Sequence, residues 1–380
     1  MSSSLPAESS RTRRLTDVWP NVIDAVEGRS DGWLPPARSG IVLLVDGLGA
    51  HNLAGRRGHT RFLGDRLGKR DVARTTVPST TATALTSLMT AAQPGSHGIV
   101  GYRVRVPGED LVANQLSGWE QAGLDPDTWQ RRPTVFEQES SRGRPCFVVS
   151  RAEYVGSGFT RAAFRGGEFL SSDDLDERVE LAADVAARHP GALVYLYHPD
   201  LDRIGHKRGW ESDEWAAALE RLDAAAATLH TRARAVGAGA VLTADHGMVD
   251  VPRHRQVLLG EDDPLLEDVR HVAGEPRLLH LYLDDTADAD AAQDRWVAAE
   301  GGRAWVMARD EAIGSGLFGA VDAEVAPRIG DLVVAARARI AYYDDRQADK
   351  APQRMVGQHG SLTDQERAVP VIALGAFAAR

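Results

Sequence analysis

Residues 41–47 read Ile-Val-Leu-Leu-Val-Asp-Gly. Five consecutive apolar residues, with no polar one alternating between them, describe a strand covered on both faces. The Asp46-Gly47 pair that closes the run is turn chemistry. Four more runs follow the same pattern. Cys146–Val149 follows Arg144-Pro145, and Leu193–Tyr197 ends at His198-Pro199-Asp200. Ala240–Thr243 ends at Asp245-His246-Gly247, and Val369–Leu374 is the fifth. Helical periodicity separates these strands. Leu15–Val26 has apolar residues at 15, 18, 22, 25 and 26; Asp174–Arg188 starts behind Ser171-Ser172 and stops before Pro190. Ser212-Asp213-Glu214 opens a long Ala-rich helix towards Ala235. Strands alternating with helices predict an α/β fold, a three-layer αβα arrangement with a mostly parallel central sheet.

The chain has 380 residues, 43% hydrophobic, and a formal charge of −10 from 44 basic and 54 acidic residues. At roughly 100–200 residues per domain this is one large unit or a few small ones. Residues 1–14, Ser-rich with Arg11, Arg13 and Arg14, read as a disordered segment. Residues 15–253 and 351–380 read as the core. Residues 254–350 carry strand candidates of their own, Leu278–Leu283 and Leu332–Ala336, and read as a smaller inserted sub-domain. One cysteine excludes a disulfide framework, a four-cysteine zinc module and a CxxC redox site. The acidic balance argues against a nucleic-acid partner. The absence of a signal-like or membrane-spanning apolar run makes a cytoplasmic protein without membrane attachment the expectation.

Ligands of open parallel sheets bind beyond the carboxyl ends of the strands. Several of these strands end in carboxylates and imidazoles: Asp46, Asp200 and Asp202, then Asp245 and His246. Any one Asp there is ordinarily a cap or an Asx-turn; the group together points to a metal site. Asp202 and His206, four apart, share one helical face. His359 lies in a glycine-flanked loop, where a surface histidine is the plain alternative. Oxygen and nitrogen donors without thiolate suit zinc, manganese or iron. The hydroxyl-rich run Thr75–Thr90 reads as a helix start from Thr80. A hydroxyl there either caps the helix or faces an anion at its N-terminus. Residues 103–135 read as an insertion over the site. Tyr102, Arg103, Trp119 and Trp129 in or beside it either stack on a leaving group or pack as lid and core. His97 reads as the anchor of a turn.

Five motifs, in order, resemble the alkaline phosphatase superfamily, in its nucleotide pyrophosphatase/phosphodiesterase branch of actinobacterial type. They are VDGLG (45–49), TATALTSLMTAAQPGSHGIVGY (81–102), YHPDLDRIGH (197–206), TADHGM (243–248) and MVGQHGSLT (355–363). The resemblance implies a site for two divalent metal ions, zinc first, with manganese or iron as alternatives. One ion would take Asp46, Thr81, Asp245 and His246; the other Asp202, His206 and His359, with Asp200 a neighbour. Anchoring the motif on Pro94 and His97-Gly98 puts the nucleophile at Thr81, ahead of Thr80 and Thr76. Ala84 then stands where the resemblance implies a phosphate-holding asparagine, and Ala91 where it implies glycine. The backbone N–H of Ala82, and Tyr102, are the candidate substrate contacts.

The implied activity is a metal-dependent phosphodiesterase or nucleotide pyrophosphatase-like hydrolase acting through a covalent phosphothreonine. Its substrate would be a small phosphate ester, with nucleotides among the candidates. A phosphomonoesterase or a phosphonate hydrolase on the same two-metal site is the alternative. A degenerate, non-catalytic metal-binding or phosphate-ester-binding protein is the alternative from another class.

Overall fold

A computed structural model describes residues 5–6, 12–29 and 32–378. Of the segment 1–14 expected to be disordered, residues 1–4 and 7–11 lie outside the described residues; Arg14 forms a bridge with Arg74.

Seven strands form the central sheet: β1 (Gly40–Val45), β2 (Val72–Arg74), β3 (Cys146–Ser150), β4 (Glu168–Ser171), β5 (Leu193–His198), β6 (Gly239–Thr243) and β7 (Ala368–Gly375). Their spatial order is β2-β7-β6-β1-β5-β3-β4. The five strands from β6 to β4 run parallel, whereas β7 is antiparallel to both β6 and β2. Every residue of β1, β3, β5 and β6 is buried, which is why their sequences run apolar without alternation.

Helices occupy both faces. On one, α3 (Leu175–Arg188) packs against α5 (Asp213–Ala235), and both touch the sheet. On the other, α1 (Val18–Val26) and α2 (Thr81–Thr90) pack together. The helix expected over Leu15–Val26 begins with a 3-10 turn, Leu15–Asp17. The remaining labelled helix, α4 (Asp200–Arg208), follows β5 directly. Among the described residues, no helix is long and apolar enough to cross a membrane.

Between β6 and β7 the chain builds a separate four-stranded antiparallel sheet. Its order is Val269–Glu275, Leu278–Leu283, Leu332–Ala336, Ala304–Ala308. It has its own apolar cluster, including Leu281, Trp296, Val334 and Tyr342. Arg277 ties this unit to the core. Its Nε and Nη2 donate to Glu366 Oε1 and Oε2 at 2.7 and 2.8 Å, with both side chains buried. Glu366 Oε1 also accepts from the Ser361 N–H at 2.9 Å, so the clamp holds the loop that carries His359.

Residues 103–135 begin with a short hairpin, Arg103–Arg105 with Val112–Asn114. Their tryptophans are packing residues. Trp119 Nε1 donates to Gln115 O and Trp129 Nε1 to Gln115 Oε1, and both rings are buried. The stacking role considered for them therefore has no exposed ring to serve it. His97 is a buried anchor: its Nδ1 accepts from the Ile99 N–H at 3.1 Å and its Nε2 lies 2.7 Å from Ser87 Oγ.

Candidate metal centre

The register of the sheet sets the site. Val45 pairs with His198 and Leu44 with Thr243, so β1, β5 and β6 end at one level. Asp46, the start of α4 and Asp245-His246 therefore leave the sheet side by side. Strand β7 runs the other way, so the loop before it reaches the same edge and brings His359 with it. Gly357-Gln358 pairs with Val249-Asp250, which fixes that loop beside the segment following β6. Gly47, at φ 74°, gives α4 room: a Cβ there would stand 3.0 Å from Asp202 Cα.

Two groups of side chains converge, Asp46 with Asp245 and His246, and Asp202 with His246 and His359; within each, the donor atoms lie within 4.8 Å of one another. His206 adjoins the second group, its Nε2 3.3 Å from Asp202 Oδ2 and 3.3 Å from His359 Nε2. These groups differ from the division the motifs imply in two respects: His246 stands in both, and His206 in neither, although it adjoins the second. Thr81, the first residue of α2, places Oγ1 3.2 Å from His246 Nε2. As the second residue of that helix, Ala82 has no intrahelical acceptor for its N–H. Asp200 lies outside the groups and accepts from Arg151 Nη2.

The hydrogen bonds prepare these atoms as ligands. Each histidine points Nδ1 at a backbone carbonyl: His206 at Gly357 O (2.8 Å), His246 at Gly247 O (3.2 Å), His359 at Ser79 O (2.9 Å). That leaves each Nε2 lone pair for an ion. Asp245 Oδ1 accepts from the N–H groups of Gly47 and His246, and Asp46 Oδ2 accepts from the Tyr197 hydroxyl. The other oxygens, Asp46 Oδ1, Asp245 Oδ2 and Asp202 Oδ1, are buried with no hydrogen-bond partner. Burial, then the charges of Asp245 and Asp202, hold the Asp46 carboxyl well above the usual carboxylate range. Burial, then His246 and His206, hold His359 well below the usual imidazole range. Orphaned carboxylate oxygens facing bare imidazole nitrogens fit divalent cations, which reverse both penalties.

Other expected residues fall elsewhere. Thr76 lines a different cavity. Ala84 is fully buried in the main apolar core and lines none of the cavity at Thr81. The Ala84 side chain therefore serves packing. Tyr102 lines a cavity with Glu275 and not the one at Thr81. The thiol of Cys146, pushed up to about 12 by burial and by Glu139, is no nucleophile.

Sequence reasoning missed the cavity itself. A space of about 450 Å3 opens on Asp46, Thr81 and Asp202. Tyr154, Phe159, Phe164, Phe169, Tyr195 and Tyr197 line it, with Leu85 on the α2 side. Only Tyr195 and Tyr197, two apart on β5 and so on one face, left a signal in the sequence.

The type I phosphodiesterase / nucleotide pyrophosphatase family profile matches residues 40–362. Murine ectonucleotide pyrophosphatase / phosphodiesterase 5 is similar at 16% identity, with 88% of this chain and 87% of that chain covered and a TM-score of 0.69. An inactive variant of it solved in complex with AMP is similar at 16% identity over the same shares, TM-score 0.68. Phosphonoacetate hydrolase from Sinorhizobium meliloti 1021, in complex with phosphonoacetate, is similar at 20% identity, with 90% and 91% covered and a TM-score of 0.66. At these identities the likeness establishes the fold. No curated protein matches.

Proposed function

The chain belongs to the type I phosphodiesterase / nucleotide pyrophosphatase family, a branch of the alkaline phosphatase superfamily, and from that membership we propose a metal-dependent phosphodiesterase that works through a covalent phosphothreonine at Thr81. The observation that carries this reading is the position of Thr81 Oγ1, 3.2 Å from the imidazole shared by both donor groups. Asp46, Asp245 and His246 with Thr81, and Asp202, His206 and His359, are the proposed holders of two divalent cations, zinc first. Bound there, the cations supply Lewis acidity and counter-charge for the phosphoryl oxygens.

The residues of the chain do the rest. Thr81 Oγ1 forms the new bond to phosphorus and gives up its proton; the bond from phosphorus to one ester oxygen breaks, and that oxygen leaves as the protonated alcohol. Water then replaces Thr81 on phosphorus, which restores the hydroxyl and yields a phosphomonoester. The N–H of Ala82, at the positive end of α2, faces the charge that develops on a non-bridging oxygen. The aromatic cavity supports a diester over a monoester, because one ester substituent has an apolar space to enter. AMP, bound by one structural neighbour, and phosphonoacetate, bound by another, make nucleotide esters and phosphonates the other substrates to test.

The test is a panel assay of zinc- or manganese-loaded protein. It compares bis(p-nitrophenyl) phosphate, thymidine 5′-p-nitrophenyl phosphate, p-nitrophenyl phosphate, p-nitrophenyl phenylphosphonate and phosphonoacetate. The expected order places the aryl diesters highest in kcat/KM. Monoester or phosphonoacetate turnover above that of every diester overturns the diesterase reading.

A further inference from the structure

Tyr197 and His198 are consecutive on β5, so they face opposite sides of the sheet. Tyr197 belongs to the aromatic cavity, and His198 faces the side on which α3 packs. Val149 pairs with both Leu196 and Leu170, so Arg151, His198 and Ser172 stand at one level at the carboxyl ends of β3, β5 and β4. Arg178, near the start of α3, is 0% exposed and reaches the same level, where its Nη1 donates to Ser172 O at 2.8 Å.

Four buried nitrogen atoms there have no hydrogen-bond partner: Arg178 Nε and Nη2, Arg151 Nε and His198 Nδ1. Buried polar groups are ordinarily satisfied, so the set calls for an occupant. Nε and Nη2 form one edge of a guanidinium, the edge that grips an anion with two parallel N–H groups. On Arg178 that whole edge is unused, and among the described residues no carboxylate forms an ion pair with it.

The charges select the occupant. Asp200 is taken by Arg151 Nη2. Asp173 and Asp174 are exposed, and Asp174 caps α3 through the Glu177 N–H; Arg221 is exposed as well. Burial holds His198 down to about 4; Asp200 opposes this and the charges of Arg178, Arg151 and Arg221 reinforce it, so at neutral pH the ring is uncharged. Arg178 and Arg151 against Asp200 leave one positive charge in surplus. A buried charge without a counter-ion is costly. A cation adds to that cost and a water molecule leaves the charge standing, whereas one monovalent anion closes the balance. Complete burial of the donors suits a small one. We propose that the free edge of Arg178, with the Nδ1–H of His198, binds a monovalent anion of halide size, chloride from solution. His198-Pro199 leads directly into α4, the helix of Asp202 and His206, so the anion ties α3 to the foot of that helix. The site stands on its own donors, whichever ester the metal centre hydrolyses.

Two measurements on metal-loaded protein test this. Crystals grown in sodium bromide are expected to show an anomalous peak at hydrogen-bond distance from Arg178 Nε and Nη2 and His198 Nδ1, and none there in Arg178→Met. In solution, replacing gluconate by chloride at constant ionic strength is expected to raise the wild-type Tm saturably, by about 2 °C or more, and to leave Arg178→Met unchanged. The methionine keeps the reach of the side chain and removes the surplus charge, so the variant folds without an anion. If it fails to fold, His198→Phe takes its place, with at least about a threefold higher chloride midpoint expected. Density at the site without anomalous signal, or the same Tm response to chloride in wild type and variant, overturns the proposal.

Discussion

The rings of His246 and His359 stack with centroids 3.5 Å apart and planes 11° apart. One ring follows β6 and the other precedes β7, so the antiparallel strand pair fixes both. Each Nε2 offers a single lone pair, and the proposed division gives His246 to one ion and His359 to the other. His246→Ala and His359→Ala are therefore each expected to lower the bound metal from about two equivalents to about one. Metal analysis after dialysis checks this. Two full equivalents retained in either variant contradict its place as a ligand.

Thr81 and Thr76 separate clearly. Thr81→Ala is expected to lower kcat on bis(p-nitrophenyl) phosphate by about 10^3-fold or more while metal binding largely survives. Thr81→Ser retains a measurable share of turnover, because it keeps a hydroxyl at the head of α2. Thr76→Ala, whose side chain lies in the other cavity, leaves turnover within about twofold of wild type. Normal rates in Thr81→Ala, or collapse in Thr76→Ala, move the nucleophile.

Leu85 stands one turn after Thr81 and lines the aromatic cavity. Leu85→Trp fills that space. For bis(p-nitrophenyl) phosphate kcat/KM is expected to fall about tenfold, the scale of a lost apolar fit. For methyl p-nitrophenyl phosphate, with the smaller methyl group available for the cavity, the loss stays within about threefold. Parallel losses on both substrates mean that the cavity holds neither ester group.

Glu275, at the end of its strand in the inserted unit, packs on Gly360, the residue after His359. Its carboxyl is held up to about 8, first by burial and then by the charge of Glu366; the Thr80 hydroxyl and the Tyr102 N–H pull it down. An unfolded glutamate ionises near 4.5. Between these values the unfolded chain releases a proton that the native chain keeps. The contribution of Glu275 is therefore fully present below pH 4.5 and is lost as pH rises towards 8. Glu275→Gln stays neutral throughout. Its Tm relative to wild type is expected to climb steadily from pH 5 to pH 8, read by thermal unfolding in matched buffers. A constant offset over that range means that the carboxyl ionises normally.

The parts legible in the sequence were those written in consecutive residues. Ile41–Val45 with Asp46, and Ala240–Thr243 with Asp245-His246, declare a buried strand and its donor in one glance. The same holds for Asp202 and His206 on α4. Legibility failed where function is assembled from single residues on separate elements. Tyr154, Phe159, Phe164 and Phe169 follow one another five residues apart, a spacing that is neither helical nor strand-like, and nothing in local periodicity joins them to Tyr195 and Tyr197. Trp119 and Trp129 drew attention for their size, but size favours burial as much as stacking. Position 84 misled because a helix turns its faces away within a residue: Leu85 lines the cavity while Ala84 lies in the core.

The inserted unit also bears on how quickly the protein assembles. Thr243 of β6 and Val371 of β7 are neighbours in the sheet, although the whole insert lies between them in the chain. Joining two strands across a flexible stretch of that length carries a closure entropy that grows by about 0.6 kcal/mol with each doubling. An insert that condenses first, around its own apolar cluster, turns that stretch into a short, stiff staple, and Arg277 gripping Glu366 is its fastening. Weakening the insert is then a way to slow refolding of the hydrolase while leaving every residue of its centre untouched.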